Sequence, residues 1–325
     1  MGLGPVGLSL ARLVLERPGL RLVGAVDPRP DLAGRDLGTL LGGPRLGVVV
    51  GADARAVLAS ARPRIVVHAT GSHLADVESQ LRTALRAGAG VVSTCEELSY
   101  PFYRHPALAR RLDALARRHG AALLGTGVNP GFVMDKLAVT LLGACRAARS
   151  VRVHRVVDAA RRREPLQRKI GAGITRAEFE ERRRAGRIGH VGLPESAHML
   201  ADAMGLPARR VLRETLAPVI AQKRVVTDFL EVRPGRVAGI AQTAVVSVGG
   251  RERVRLELEM YVGARGSVDA VAIDGRPAFE ASIAGGIHGD EGTAAMVVNC
   301  AQLLPSLPPG LRTMLDVPLR GGGLL

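Results

Sequence analysis

The residues able to do chemistry in the N-terminal half stand just past short apolar runs. Gly2-Leu3-Gly4-Pro5-Val6-Gly7 has the spacing G-x-G-x-x-G and leads into Leu8 to Glu16, where Leu10, Leu13 and Val14 recur at helical spacing. Pro18-Gly19 stops that helix, and Leu20 to Val26 reads as a buried strand ending at Asp27. Glycines at these places permit a tight turn, close approach of backbone to a pyrophosphate, and close packing of helix on strand. The helix N-terminus adds amide donors for phosphate. Asp27, 20 residues after Gly7, is placed to accept from ribose hydroxyls. Helix, stop, strand and acid together point to a dinucleotide. The competing reading is a glycine-rich turn in a chain with 40 glycines. Asp27 favours NAD, because its charge repels a 2′-phosphate. Arg29 and Arg35 can accept that phosphate, or they line a solvated loop. NAD and NADP therefore both stay open.

The elements that must position these groups alternate. Ile65 to Thr70 is an apolar run ending in Thr70-Gly71-Ser72, a strand end beside the cofactor crevice. Val77 to Ala87 is an amphipathic helix, Gly90 to Ser93 a strand, Pro106 to Arg118 a helix, and Ala121 to Leu124 a strand running into Gly125-Thr126-Gly127-Val128-Asn129-Pro130-Gly131. Such alternation predicts an α/β fold, a Rossmann-type doubly wound parallel sheet whose ligands lie outside the carboxyl ends of the strands. Those ends carry Thr70, Ser72, Glu96, Glu97 and Asn129. The strand that normally precedes the glycine fingerprint has only Met1 to represent it. The expectation is a chain short of one strand, roughly 6–10 residues, through a start placed late or a trimmed sequence; the alternative is a sheet without its middle.

From Val151 the pattern changes. Val151 to Val157 reads as a strand, Arg161 to Lys169 as a basic loop, and Thr175 with Glu178 as a capping box. Val225 to Val232, Val237 to Val248 and Val254 to Tyr261 alternate like antiparallel strands between glycine-containing turns. This is a second, α+β domain with a mixed or antiparallel sheet. The expected organisation is a dinucleotide-binding domain over 1–130, a substrate and dimerisation domain over 131–288, and a segment over 289–325 whose helix, Thr293 to Leu304, returns to the first domain.

Composition narrows the function classes. Lys+Arg is 45 against 30 Asp+Glu, a formal charge of +15, which invites a nucleic-acid reading. Against it, the chain has 3 Tyr, 5 Phe and no Trp, so stacking platforms are scarce, and arginine is spread along its whole length. Coding bias toward arginine, with an anionic cofactor or substrate, is the preferred account, and neither nucleic acid nor membrane is an expected partner. No apolar run approaches a membrane span and no secretory signal is visible. The three cysteines, Cys95, Cys145 and Cys300, lie far apart with no C-x-x-C, so a reducing cytoplasm is the simplest setting. No metal-ligand constellation appears at ligand spacing.

GLGPVG, STCEELSYP (Ser93 to Pro101) and GTGVNPGFVMD (Gly125 to Asp135) resemble the NAD(P)-dependent 2,4-diaminopentanoate dehydrogenases and native amine dehydrogenases, relatives of dihydrodipicolinate reductase. RRREPLQRKIGAG (Arg161 to Gly173), GHVGLPES (Gly189 to Ser196), GGIHGDEGTAAMVVN (Gly285 to Asn299) and PGLRTMLDVP (Pro309 to Pro318) extend the likeness over nearly the whole chain. The reductase is a poorer match: its histidine-pair and lysine signature has no counterpart, and the arginine segment stands in that region.

The resemblance implies reversible oxidative deamination: an amine loses hydride to the nicotinamide, and the imine is hydrolysed to ketone and ammonia. The family's functional acid maps onto Glu96 or Glu97, with Glu96 preferred as nearer the strand end and the other glutamate capping the following helix. A carboxylate there shuttles protons and faces an iminium. Asn129 and Pro130 are expected to position the nicotinamide amide, or to form an ordinary turn. Arg161, Gln167, His190 and His288 are substrate-side candidates, each with a structural or solvated alternative. Cys95 lacks a paired base for nucleophilic catalysis. The rival readings are an imine or dihydrodipicolinate-type reductase without an ammonia step and a non-enzymatic dinucleotide sensor. A homodimer through the second domain's sheet is the expected assembly.

Overall fold

The computed structural model describes residues 1–319. The chain divides into two compact units, Met1–Phe132 with the segment from His288, and Val133–Ile287. In the first, α1 (Pro5–Glu16) starts on Gly4, with Pro5 setting the first helical φ, and buries Gly7, Leu10, Ala11 and Val14. Of the strand expected over 20–26 only Ala25–Val26 forms, as β1. α2 (Leu37–Leu40) follows the Asp36 cap, and β2 (Val50–Gly51) pairs with β1 in parallel. α3 (Ala54–Ala61), β3 (Ile65–His68), α4 (Leu74–Arg86), β4 (Gly90–Ser93), a 3-10 turn (Glu96–Ser99), α5 (Pro106–Arg118) and β5 (Ala122–Gly125) continue the alternation. α4 buries Leu74, Val77, Leu81, Ala84 and Leu85 on one side, against Val91 and Leu123 of the sheet.

The second unit holds α6 (Lys136–Leu142), β6 (Ala147–Asp158), α7 (Glu164–Lys169), α8 (Arg176–Arg184), α9 (Leu193–Ala203), β7 (Val211–Ile220), β8 (Val225–Val226), β9 (Glu231–Val232), β10 (Val237–Val248), β11 (Arg251–Tyr261), β12 (Val268–Arg276) and β13 (Phe279–Ala284). Its six-stranded sheet has the order β13-β12-β6-β11-β10-β7, with only β6 and β11 parallel. The Thr175–Glu178 capping box starts α8. Two expectations are corrected here. The basic segment Arg161 to Lys169 is largely helical: Asp158 caps a 3-10 turn over Ala159–Arg161, and Pro165 sits in the first turn of α7. Val225 to Val232 is two short strands, not one, because the Thr227 hydroxyl accepts from the Phe229 and Leu230 amides and turns the chain between them.

The chain then returns with α10 (Gly289–Leu303), which packs on α1 and β4, and β14 (Gly310–Arg312), which joins β5. β14-β5-β4-β3 is a fully parallel sheet, and with β1-β2 and the flanking helices it forms the Rossmann-type layer expected. Register aligns His68 with Ser93 and Ser93 with Gly125, so three strands end in one row. Among the described residues, Met1 and Gly2 bridge β3 and β1 through their backbone groups. The Met1 amino group donates to Val67 O and the Ala69 amide to Met1 O, both at 2.9 Å, while the Gly2 amide donates to Val26 O at 2.9 Å. Beside this single row lies a cavity of about 610 Å³, lined by 20–26, by Ile65, Val66 and Val67, and by Leu10 and Val14 of α1. The central strand expected before the fingerprint is therefore one row deep among the described residues.

Candidate active site

Two of the three fingerprint glycines are required by the protein itself. A Cβ on Gly2, at φ +82°, would sit 2.4 Å from Ala69 O, and one on Gly7 would sit 1.9 Å from Gly2 O. Gly4 differs: its φ is −63° and an added Cβ meets nothing within 4 Å. Nothing internal demands glycine there, and the space lies over the first turn of α1, whose Val6 and Gly7 amides have no intrahelical acceptor. A pyrophosphate fits this cradle.

Asp27 closes the loop. Its carboxylate accepts from the Leu3 amide at 2.7 Å and the Arg29 amide at 3.0 Å, and Arg29 Nε and NH2 reach its two oxygens at 3.0 and 3.2 Å. Burial pushes this carboxyl up, but the Arg29 side chain and the two amides outweigh it and hold it below its usual range. The acid expected to favour NAD and the base expected to accept a 2′-phosphate thus form one ion pair.

The turn after β4 is fitted tightly to its neighbours. A Cβ on Gly125 would lie 2.5 Å from Leu98 C, so the 3-10 turn rests on the end of β5. The Thr94 amide donates to His68 O at 3.0 Å and the Glu97 amide to Ser72 O at 3.2 Å. Glu97 is 4% exposed. Its Oε2 accepts from the Leu74 amide and pairs with His105 Nε2, both at 2.8 Å; its Oε1 meets His73 Nδ1 at 3.2 Å and Arg104 at 3.8 Å. Burial pushes its carboxyl up, and the Leu74 amide, His73 and His105 more than reverse this, leaving it below its usual range. Glu97 therefore caps the preceding helix α4, not the following one. That is why α4 begins at Leu74, ahead of the expected Val77. Glu96 is partly exposed at the same strand end. Cys95 is buried, its Sγ donates to Ser72 O at 3.3 Å, and burial pushes the thiol up to about 12, which leaves no nucleophile at pH 7.

Behind this turn lies a group that sequence reasoning missed. His68 Nδ1 meets Ser93 Oγ at 2.8 Å, and its Nε2 meets Thr70 Oγ1 at 2.8 Å and Gln80 Oε1 at 2.9 Å. A lone histidine inside an apolar run carries no spacing signal. Past β5, Asn129 Oδ1 is buried without a protein partner, and a Cβ on Gly131 would lie 2.4 Å from Gly127 N. A buried acceptor left unmet costs about 1–3 kcal/mol, and a carboxamide N–H such as that of nicotinamide would satisfy it. The turns at 70–72, 94–97 and 126–131 all leave the carboxyl edge of one parallel sheet. His288, in the same unit, is exposed and caps α10, its Nδ1 accepting from the Glu291 amide at 3.4 Å.

In the second unit Arg161 is exposed at the end of its 3-10 turn. Gln167 is fully buried; its amide donates to Ala160 O and Arg162 O, and its Oε1 accepts from Thr227. His190 is half-buried, and Gln242 grips its backbone on both sides, at 2.8 and 2.9 Å. The buried Arg155–Asp269 pair, 2.7 Å apart, holds both backbone groups of Ile287 and was not singled out in the sequence. Among the described residues no cluster of His, Cys, Asp and Glu could hold a metal ion, and no helix is long and apolar enough to cross a membrane.

Residues 132–322 match the profile of the 2,4-diaminopentanoate dehydrogenase C-terminal domain. The 2,4-diaminopentanoate dehydrogenase of Acetoanaerobium sticklandii is 30% identical over 332 residues, covering 98% of this chain and 92% of that protein. The chain belongs to the 2,4-diaminopentanoate dehydrogenase family. An amine dehydrogenase of Streptomyces virginiae is 28% identical over 98% of this chain and 95% of its own length. The solved amine dehydrogenase of Mycobacterium smegmatis superposes with a TM-score of 0.86 at 29% identity, covering 98% of this chain and 95% of that one. As a member of the 2,4-diaminopentanoate dehydrogenase family, the protein is an NAD(P)-dependent oxidoreductase of the amine dehydrogenase type.

Proposed function

We propose that the enzyme interconverts an amine and the corresponding ketone plus ammonia, with Glu96 as the acid–base residue and Glu97 as its anchor. The observation that carries this is the division of labour in the glutamate pair. The Glu97 carboxylate is enclosed by Leu74, His73, His105 and Arg104, whereas Glu96 is partly exposed at the edge that carries the glycine loop and Asn129. The Gly4 cradle, the Asp27–Arg29 pair, the Thr70–Ser72 turn and Asn129 would hold the dinucleotide, with Asn129 Oδ1 on the carboxamide. When bound, the nicotinamide supplies the hydride acceptor or donor. Glu96 takes and returns the protons of ammonia attack on the ketone and of water loss, and its charge favours the iminium over the neutral imine.

Arg161 and His190 are assigned to the substrate side chain. Gln167 and His288 are assigned to holding their local backbone. A homodimer through the second unit's sheet is part of the same proposal, read by mass in solution. Relatives named as a 2,4-diaminopentanoate dehydrogenase and an amine dehydrogenase match nearly the whole chain, which favours this reading over a reductase or a sensor. The test is a panel of amines and diamino acids with NAD⁺ or NADP⁺, following reduced nicotinamide and released ammonia together. Equimolar appearance of both supports the proposal. Cofactor binding without turnover on any amine would favour the sensor and overturn it.

A further inference from the structure

We propose that His68 is a positioning residue that couples the cofactor-side turn at Thr70 to the acid-bearing turn at Glu96. Register puts His68 and Ser93 side by side at the ends of β3 and β4, on one face of the sheet. Both are enclosed by protein. The Cys95 amide donates to Ser93 Oγ at 3.0 Å, which fixes the residue immediately before Glu96. The Ser93 hydroxyl proton then goes to His68 Nδ1, the acceptor within reach at 2.8 Å. That leaves the proton of the neutral ring on Nε2, which faces Thr70 Oγ1 and Gln80 Oε1. Thr70 Oγ1 in turn donates to Gln80 Oε1 at 2.7 Å, anchoring the turn to α4. The imidazole therefore has two arms. Nδ1 acts through Ser93 and Cys95 on Glu96, and Nε2 acts on the Thr70–Ser72 turn. The backbone repeats the connection, since the same residue's carbonyl accepts from the Thr94 amide. Burial keeps the ring neutral by pushing its pKa down to about 4, as the Nδ1 acceptor role requires.

The roles of Glu96 and Thr70 rest on the proposed function; the two-armed geometry of His68 does not. Asparagine places its carboxamide near Nδ1, and glutamine places its carboxamide near Nε2, so the two variants separate the arms. His68→Asn retains the Ser93 arm: kcat stays within about twofold while NAD(P)H binds roughly tenfold more weakly, the loss expected for one hydrogen bond. His68→Gln retains the Thr70 arm: cofactor Kd stays near that of the parent while kcat falls roughly tenfold. His68→Leu loses both. Nicotinamide fluorescence gives Kd without any turnover, so the cofactor arm is read even if no amine is oxidised, in which case the proposed function fails alone. Variants that melt at lower temperature with Kd and kcat unchanged would reduce His68 to a packing residue and overturn the inference. So would Asn and Gln variants that lose binding and rate alike.

Discussion

Replacing Glu97 by glutamine removes one charge and little volume from a carboxylate that is 4% exposed. That carboxylate has 2.8 Å contacts to the Leu74 amide and to His105 Nε2. A hydrogen bond to a buried charged group contributes about 1.5–3 kcal/mol. Glutamine keeps one oxygen as an acceptor and turns the other into a donor, so one short bond is lost and the second weakened. The cost is about 2–3 kcal/mol, and at ~2–4 °C per kcal/mol for a unit of this size the melting temperature falls by roughly 5–10 °C. The acid limb of stability also changes. Glu97 is held below its usual carboxyl range, so its contribution is complete above that range and is lost as pH falls through the folded-state value; Glu97→Gln flattens that fall. Glu96→Gln, at a partly exposed position, leaves the melting temperature within about 2 °C but lowers kcat by roughly 10²–10⁴. Calorimetry with steady-state amine oxidation reads both. A Glu97→Gln enzyme that melts like the parent but has lost its rate, beside a normal Glu96→Gln enzyme, would refute the assignment. Equal, mild effects would remove the pair from the mechanism.

Other outcomes follow from the same geometry. His68 titrates at 6.5 when unfolded and about 4 when folded, so the unfolded chain binds the extra proton first between those values. Stability is complete above pH 6.5 and falls by about 3 kcal/mol toward pH 4, from 2.5 pH units at 1.36 kcal/mol each; denaturant melts across that range check it, and His68→Asn removes this component. Gly4→Ala folds as the parent does, because its Cβ meets nothing within 4 Å, yet weakens NAD(P)H by roughly tenfold or more; unchanged Kd would move the pyrophosphate elsewhere. Arg29→Ala exposes the Asp27 charge and weakens NADPH more than NADH in paired titrations, whereas the reverse order would place the ribose at another site.

What could be read from residues alone was periodic or local. Pro106 to Arg118 shows its buried face, Leu108, Ala109, Leu112 and Ala116, at helical spacing, and Val237 to Val248 forms the strand expected of it, although its burial is nearly continuous rather than alternating. The glycine fingerprint was legible because its spacing is itself the geometry. Glu97's role was not, because two of its partners, His73 and His105, lie 24 and 8 residues away in sequence and meet it only when α4 and α5 pack. His68 was hidden for a related reason: its partners arrive through strand register. The arginine-rich segment read as a loop because its charges dominate the pattern. Its helix is fixed instead by Pro165 and by Gln167, whose partners are Ala160 and Arg162 at the preceding 3-10 turn and the distant Thr227. β7 and β13 contain no buried residue, and in β12 the buried face holds Asp269 while the opposite face holds Val268, Ala270 and Ala272, so hydropathy does not follow burial there.

The most direct measurement of the central claim supplies a ketone, ammonia carrying a nitrogen isotope, and NAD(P)H carrying deuterium at its reactive carbon, and weighs the product. The account predicts an amine that holds both the labelled nitrogen and one deuterium, formed in proportion to ammonia and lost in Glu96→Gln. A deuterated alcohol without the nitrogen label, or reduction confined to a preformed cyclic imine at every ammonia concentration, would contradict it.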